Sequence, residues 1–224
     1  MIIIITPCSA SKDDSSAIPN NFKIVQSSHY LDDKNLISRL QSIREQIFRD
    51  PRTCVGAKIT YAFDLYINAG KAYRGLRESS NQQRLKSTLI SDGNIQWFFL
   101  SGGYGIINAL EAAKKYQATF DRNIAHQRKI PYTANLWESA LTPMCSAILS
   151  KFQPTWLYVF GSKSYTYFIK QTDFWKTKKT ITMFESAGQQ GPSWLSPKLN
   201  EMASSIFNNK LDKFNKRYPK FVKQ

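Results

Sequence analysis

Four short runs of β-branched and aromatic residues constrain the fold of this chain more than any other feature of the sequence. The runs cover residues 2–5, 95–100, 156–160 and 180–184. None of them alternates cleanly with polar residues, which is typical of strands covered on both faces, as in a parallel sheet. Helical periodicity fills the intervals, and strands separated by helices favour right-handed crossovers. The sequence therefore predicts an α/β fold, a three-layer α/β/α sandwich around a central four-stranded, mainly parallel sheet.

Six stretches between and after these runs have the apolar spacing that predicts helices. The clearest follows the acidic capping candidates Asp32 and Asp33 and stops before Pro51. The predicted helices cover residues 36–47, 59–71, 82–90, 108–115, 133–150 and 197–214, and residues 186–197 predict a loop. We find no repeat and no long linker, so we expect one domain over residues 1–224. Its basic tail, residues 210–224, suits either a solvated helix face with a frayed end or a polyanion-binding arm.

The charge balance is strongly basic. The chain has 31 Lys and Arg residues against 16 Asp and Glu residues, a formal net charge of +15. An excess of this size favours a polyanionic partner, of which nucleic acid is the commonest. An anionic membrane surface is the alternative, but no apolar run approaches the ~20 residues that a spanning helix needs. The sequence thus favours a nucleic-acid partner and no membrane segment.

The cysteines, histidines and glycine motifs argue against disulfide, metal and nucleotide-cofactor chemistry. Cys8, Cys54 and Cys145 are odd in number and widely spaced, which favours a reducing cytoplasm, and Cys8 is predicted to be a buried structural thiol. His29 and His126 are too few for a zinc or haem site. Neither a Walker A loop nor a dinucleotide-binding glycine motif is present. We expect no metal and no cofactor, and a monomer in the cytoplasm.

Small, hydroxyl-rich segments follow all four predicted strands. They are residues 6–12, 101–105, 161–165 and 185–188. Ligands of open parallel sheets bind beyond the carboxyl ends of the strands, where backbone N–H groups suit phosphate oxygens. Each segment alone is better explained as a tight strand-to-helix turn. Because four such segments converge on one edge, we expect a ligand site there.

Two other features of this edge bear on chemistry. Tyr104, which lies among glycines, could stack on a planar ligand or simply cover the sheet. Few carboxylates are close to this edge in the sequence. They are Glu111, Asp121 and Glu185, and each is more often a surface residue or a helix cap than a catalyst.

The stretch from residue 71 to residue 116 carries a family resemblance. It reads KAYRGL at 71–76 and FLSGGYGII at 99–107, followed by Leu110-Glu111 and Tyr116. This stretch resembles the YaaA peroxide-stress family, which has Y-x-G-L, LSGxYGxLxPLD and a following tyrosine, and residues 8–12 are similar to a Cys-Ser-Lys segment of related domains. The family's fold is similar to that of the uracil-DNA glycosylase superfamily, which implies four parallel strands and an active site at their carboxyl edge.

The chain departs from the family at several points. Ala109 replaces the family's proline, Glu111 stands in place of its aspartate, and the superfamily's usual water-activating first motif is not present in its familiar form. The leading hypothesis is a DNA glycosylase that flips and excises a modified base and leaves an abasic site. The chain also resembles an anti-phage glycosylase that removes glucosylated hydroxymethylcytosine. The alternatives are a non-enzymatic, YaaA-like nucleic-acid-binding stress protein and an RNA base-processing enzyme.

The glycosylase hypothesis assigns residues to three tasks. A carboxylate stabilises the cationic sugar, hydroxyls and small residues bind the base, and cations hold phosphates. The catalytic candidates are Glu111, Asp121 and Tyr104; the substrate-binding candidates are Ser9, Ser101, Gly102, Gly103, Asn108, Tyr116 and Ser162; the nucleic-acid-binding candidates are Lys12, Arg122, Arg128, Lys129, Lys163 and Tyr165. Glu111 is expected on the first turn of a helix, and Lys12 and Lys163 on facing loops of one cleft.

Overall fold

Eight strands form two sheets in the computed structural model, which describes residues 1–18, 24–177, 180–186, 191–218 and 221–223. The strands are β1 (Ile2–Pro7), β2 (Ile59–Tyr61), β3 (Ile95–Ser101), β4 (Gly105–Asn108), β5 (Ala112–Lys114), β6 (Trp156–Ser162), β7 (Ile181–Ser186) and β8 (Phe221–Lys223). Six of them form a central sheet in the order β4-β3-β1-β6-β7-β8, and β2 pairs with β5 in a small second sheet. Only β4 is antiparallel to its neighbour in the central sheet.

Helices cover both faces of the central sheet. They are α1 (Lys34–Arg49), α2 (Ala62–Ile67), α3 (Arg74–Arg77), α4 (Asn81–Ser91), α5 (Arg122–Arg128), α6 (Ala134–Phe152), α7 (Lys163–Lys170), α8 (Asp173–Thr177), α9 (Gly191–Phe207) and α10 (Leu211–Arg217). One helical layer contains α1, α6, α7 and α8, and the other contains α3, α4, α9 and α10. The predicted three-layer α/β/α fold is confirmed, and the apolar central strands are buried between the two layers.

The prediction of four strands was incomplete. The predicted runs correspond to β1, β3, β6 and β7, which are adjacent in the sheet and fully enclosed. The two edge strands, β4 and β8, were missed. Both are short, and β4 follows directly on a tight turn after β3, so neither carries a run long enough to be recognised.

The predicted helix over residues 108–115 was wrong. The Asn108 side chain accepts a hydrogen bond from the backbone N–H of Leu110 at 2.9 Å, which fixes a turn at the end of β4. The chain then enters β5, which pairs antiparallel with β2 from Ile59 opposite Lys114 to Tyr61 opposite Ala112. The start of the predicted helix over residues 59–71 is therefore also a strand. Apolar spacing over only a few residues does not separate helix from strand.

The C-terminal region differs from its prediction in two ways. The predicted loop over residues 186–197 is helical from Gly191, while residues 187–190 lie outside the described residues. The predicted helix over residues 197–214 is two helices, because Asn209 takes a left-handed conformation with φ of 53° that ends α9. The tail is part of the fold: Phe214 and Tyr218 are buried, and β8 pairs with β7.

The other predicted helices agree with the structure. Asp33 caps α1 by accepting a hydrogen bond from the N–H of Asn35 at 2.8 Å, as expected for an acidic N-cap. The predicted helices over residues 82–90 and 133–150 correspond to α4 and α6. Within the described ranges, none of the helices has the length and apolar character needed to cross a bilayer.

Candidate functional site

A cleft of about 1440 Å³ opens at the carboxyl edge of the central sheet. Its walls come from the segments that follow β1 and β6, from the end of β7, from residues 117–124, and from parts of α5, α6 and α7. Small-molecule sites typically occupy about 300–1,000 Å³, so this cleft is larger than a site for one small metabolite needs. The position agrees with the edge that the strand-end segments predicted.

Eight of the predicted site residues line this cleft. They are Ser9, Lys12, Asp121, Arg122, Arg128, Ser162, Lys163 and Tyr165. Lys12 and Lys163 thus border the same cavity, although Lys12 is buried and Lys163 is exposed. The other predicted residues do not line it. They are Ser101, Gly102, Gly103, Tyr104, Asn108, Glu111, Tyr116 and Lys129.

The end of β3 and the glycine turn after it were predicted to bind substrate, but they do not line the cleft. Ser101 Oγ lies 2.6 Å from the Tyr116 hydroxyl, and Tyr66 OH lies 3.2 Å from the same hydroxyl. A Cβ atom on Gly103 would lie 2.6 Å from the Tyr116 ring, and one on Gly102 would meet the backbone of residues 118–119. These glycines therefore allow two segments of the protein to pack closely against each other, rather than allowing the backbone to approach a ligand.

Glu111 makes structural contacts and does not line the cleft at which it was predicted to act as a catalyst. It lies in the turn between β4 and β5, not on a helix, and its side chain is about 7% exposed. Its Oε1 pairs with Arg44 Nη1 at 2.6 Å, and its Oε2 accepts hydrogen bonds from the N–H and hydroxyl of Ser27 at 2.8 and 2.5 Å. Both of its carboxylate oxygens are engaged, and they hold the segment around Ser27 and α1 against the end of β4.

Tyr104, Asn108 and Lys129 are also away from the cleft. The Tyr104 ring packs on Tyr116 with centroids 5.3 Å apart, and its hydroxyl accepts a hydrogen bond from the N–H of Lys114 at 2.7 Å. Burial raises the pKa of Tyr104 to about 12, so it stays neutral and covers the sheet. Asn108 shapes its turn, and Lys129 takes a left-handed conformation at the C-cap of α5.

Lys12 lies at the floor of the cleft instead of on an exposed loop. Lys12 is about 7% exposed. Its Nζ donates a hydrogen bond to the backbone carbonyl of Ser9 at 2.8 Å and lies 4.1 Å from the centroid of the Tyr116 ring. None of the described carboxylates forms an ion pair with it. Burial, with nearby Arg128 and Lys115, lowers the pKa of Lys12 from 10.5 to about 8.

We expect Lys12→Met to raise the free energy of unfolding at pH 7 by roughly 1–3 kcal/mol, because it removes a buried charge. The pKa of Lys12 is about 8 when folded and 10.5 when unfolded, so the cost is complete below pH 8 and disappears as the pH rises toward 10.5. Denaturant unfolding of both proteins at pH 7 and pH 10 measures this difference. Lys34→Met, at an exposed lysine of α1, is the control, and an equal effect of both substitutions at pH 7 would contradict the placement of Lys12.

Of the two carboxylates predicted to be catalytic, Asp121 borders the cleft and Glu111 does not. Its Oδ1 accepts hydrogen bonds from the N–H groups of Asn123 and Ile124 at 2.9 and 3.1 Å, which caps α5. Its Oδ2 has no hydrogen-bond partner among the described residues, and the residue is partly exposed. One carboxylate oxygen is therefore fixed by the fold, while the other is available to a ligand in the cleft.

The sequence analysis named Lys163 but missed other residues that α7 contributes to the wall of the cleft. Lys163, Tyr167 and Lys170 follow each other at four- and three-residue spacing and all border the cavity. That spacing places side chains on one helix face and was the signal that could have found them. Lys170 Nζ pairs with buried Glu185 at 2.5 Å, and Glu185 also accepts a hydrogen bond from Thr166. Glu185 is therefore held by the wall, in contrast to Asp121.

Cys8 is less buried than expected. The side chain is partly exposed and borders the cleft, and its Sγ lies 3.7 Å from the Tyr165 hydroxyl. Burial raises the pKa of Tyr165 well above its ordinary value, so this hydroxyl stays protonated. Among the residues that the structure describes, we find no group of three or more His, Cys, Asp or Glu side chains placed to hold a metal ion.

The cleft has an exposed positive rim, formed by Lys71, Arg122, Arg128 and Lys163. None of these four side chains has an ion-pair partner among the described residues. This basic rim is suited to anionic groups in general, since unpaired surface cations attract phosphate without reading sequence. A comparison of the chain with protein-family models gave no match, and a comparison with curated proteins gave none either.

Proposed function

We propose that the protein is a DNA glycosylase, which draws one modified nucleotide out of a duplex and hydrolyses its N-glycosidic bond. The observation that carries this proposal is a single cleft that combines a basic rim, one available carboxylate oxygen on Asp121 and about 1440 Å³ of space. A protein that only coats nucleic acid needs the positive surface but not a deep cavity behind it. The cavity therefore favours an enzyme over a simple binder.

The basic rim supports the first step, which is to hold the DNA backbone. Its four cations are exposed and border the cleft, and the whole chain has a net charge of +15. Contacts of this kind position a duplex through its phosphates and carry no sequence information. They also offset part of the cost of unstacking a base, which is a few kcal/mol.

The interior of the cleft supports recognition of an extruded base. Hydroxyl groups of Ser9, Ser162 and Ser164 and the aromatic rings of Tyr165 and Tyr167 line the cavity. Hydroxyls can hydrogen-bond a base edge or an appended sugar, and aromatic rings can stack on the base. Because the volume exceeds that of an ordinary small-ligand site, we propose that the substrate is a bulky modified base such as a glucosylated hydroxymethylcytosine.

Asp121 supports the chemical step. As the bond between C1′ and the base nitrogen breaks, positive charge builds on the sugar, and a carboxylate nearby stabilises that transition state more than the ground state. Oδ2 of Asp121 is free to face the sugar or to orient the water that attacks C1′. The base leaves with the bonding electrons, water supplies the new C1′ hydroxyl, and an abasic site remains.

The proposal is tested with three substrates of the same sequence. They are unmodified duplex DNA, duplex DNA in which glucosylated hydroxymethylcytosine replaces cytosine, and RNA. We expect base excision only in the modified DNA, measured as free base released from each substrate and, in the two DNAs, also as strand breaks after alkali. Binding with no base released from any substrate would identify a non-enzymatic binder. Base release from RNA alone would identify an RNA-processing enzyme. Either result would overturn the proposed function.

A further inference from the structure

Lys12 is a buried amine that the hydrolytic mechanism does not use. It lies at the cleft floor, about 7% exposed, and borders the same cavity as Asp121. A lysine that only grips phosphate belongs on the basic rim, where the long side chain stays in water. The fold instead fixes the Lys12 amine through its hydrogen bond to the carbonyl of Ser9 at 2.8 Å and packs it against the ring of Tyr116.

This environment makes the amine of Lys12 a nucleophile near neutral pH. Its pKa is lowered to about 8, chiefly by burial, so about a tenth of the molecules carry a neutral amine at pH 7. The other lysines of the cavity are less suitable. Lys71 and Lys163 are exposed, and Lys170 is paired with Glu185 at 2.5 Å. Desolvation of a lysine in a cleft is a recognised route to imine-forming catalysis.

We propose that Lys12 Nζ attacks C1′ of an abasic deoxyribose held in this cleft, so that the protein is also a lyase that cuts the strand beside the abasic site. This inference rests on the proposed function, because base excision in the cleft would leave such a sugar next to the amine. The ring-opened abasic sugar carries an aldehyde at C1′, the group that a neutral amine attacks.

The chemistry needs no reagent other than water. The amine and the aldehyde condense to an imine between Nζ and C1′, and one water molecule leaves. Asp121, in the same cleft, takes a proton from C2′; the C–H electrons form a C2′–C3′ double bond, and the bond from C3′ to the phosphate oxygen breaks. The phosphate leaves with that electron pair as the 5′ end of one product. Water then hydrolyses the imine, which frees Lys12 and leaves an unsaturated aldehyde on the other strand end.

The test uses a duplex whose single abasic site is made beforehand by removal of uracil, with sodium borohydride as the trap. Borohydride reduces the imine and joins protein to DNA covalently. We expect a trapped complex with the parental protein and with Lys34→Arg, an exposed lysine outside the cleft, and loss of the complex with Lys12→Arg. Trapping that is equal in the Lys12→Arg and parental proteins would overturn the proposal, as would no trapping with the parental protein.

A second measurement needs no variant and so does not depend on the folding of Lys12→Arg. Peptide mapping of the trapped parental protein by mass spectrometry should place the reduced sugar on Lys12, and a sugar on Lys71 or Lys163 would overturn the proposal. Because the abasic site is preformed, this assay does not require base excision. If the sugar is trapped on Lys12 but the excision assay releases no base from the modified DNA, the proposed lyase activity stands and the proposed glycosylase activity is rejected.

Discussion

Asp121→Asn should lower single-turnover base excision by at least ~100-fold, which corresponds to about 2.7 kcal/mol of barrier. The substitution removes the charge that we place beside the cationic sugar. It should leave the fold intact, because asparagine caps a helix about as well as aspartate and its side-chain oxygen can still accept from the N–H groups of Asn123 and Ile124. Rapid-quench assays under excess enzyme measure this rate directly.

Glu138→Gln is the matched control for that experiment. Glu138 is an exposed carboxylate on α6 that borders the same cleft, so both substitutions remove one negative charge near the DNA. Both should bind DNA at least as tightly as the parental protein, because each relieves repulsion of phosphate. Only Asp121→Asn should slow excision. Equal excision rates in the two variants would show that the Asp121 carboxylate has no part in the chemistry.

Glu111→Ala should lower the free energy of unfolding by about 3–5 kcal/mol, since removal of one partner leaves a buried charge uncompensated. The Arg44 side chain is only 18% exposed and pairs with Glu111 at 2.6 Å. The substitution also leaves the N–H and hydroxyl of Ser27 without their acceptor. Urea unfolding followed by circular dichroism measures the loss.

Glu45→Ala is the control, because Glu45 lies one residue from Arg44 on α1 and its pair with Arg49 is fully at the surface. We expect this substitution to change the free energy of unfolding by less than about 0.5 kcal/mol. Glu111→Gln should excise bases at the parental rate once corrected for the folded fraction. A stable Glu111→Gln protein that excises 100-fold more slowly would restore Glu111 as a catalyst and contradict its structural role.

The sequence predicts the layers and the central strands of this fold because those features depend on long apolar runs. β1 and β3 are nearly all buried, and runs of this kind have few alternatives to an enclosed strand. The second sheet depends instead on pairing between Ile59–Tyr61 and Ala112–Lys114, which are distant in sequence and too short to show a period. Local spacing therefore misread both as helix.

The sequence predicts a site residue well when its position at a strand end is enough to place it at the cleft. It predicts poorly when the direction of the side chain determines whether the residue faces the cleft. Strand ends meet at one edge of the sheet, so Ser9, Ser162 and Lys163 were expected at the cleft and do border it. The direction in which a side chain points on either side of a glycine turn has no such rule. Ser101 and Tyr116 therefore turned out to support the cleft from below, through a hydrogen bond of 2.6 Å that only the tertiary fold creates.

The central claim is that this cleft receives a nucleotide extruded from DNA, and a crystal structure of a complex tests it most directly. The complex contains Asp121→Asn, which should bind tightly and excise the base far more slowly than the parental protein, and a duplex with one glucosylated hydroxymethylcytosine. We predict that the modified nucleotide lies outside the helical stack, with its base between Ser9 and Ser162 and its C1′ beside residue 121 and Lys12. A duplex in which that base remains stacked, or one bound away from Arg122, Arg128 and Lys163, would contradict the account.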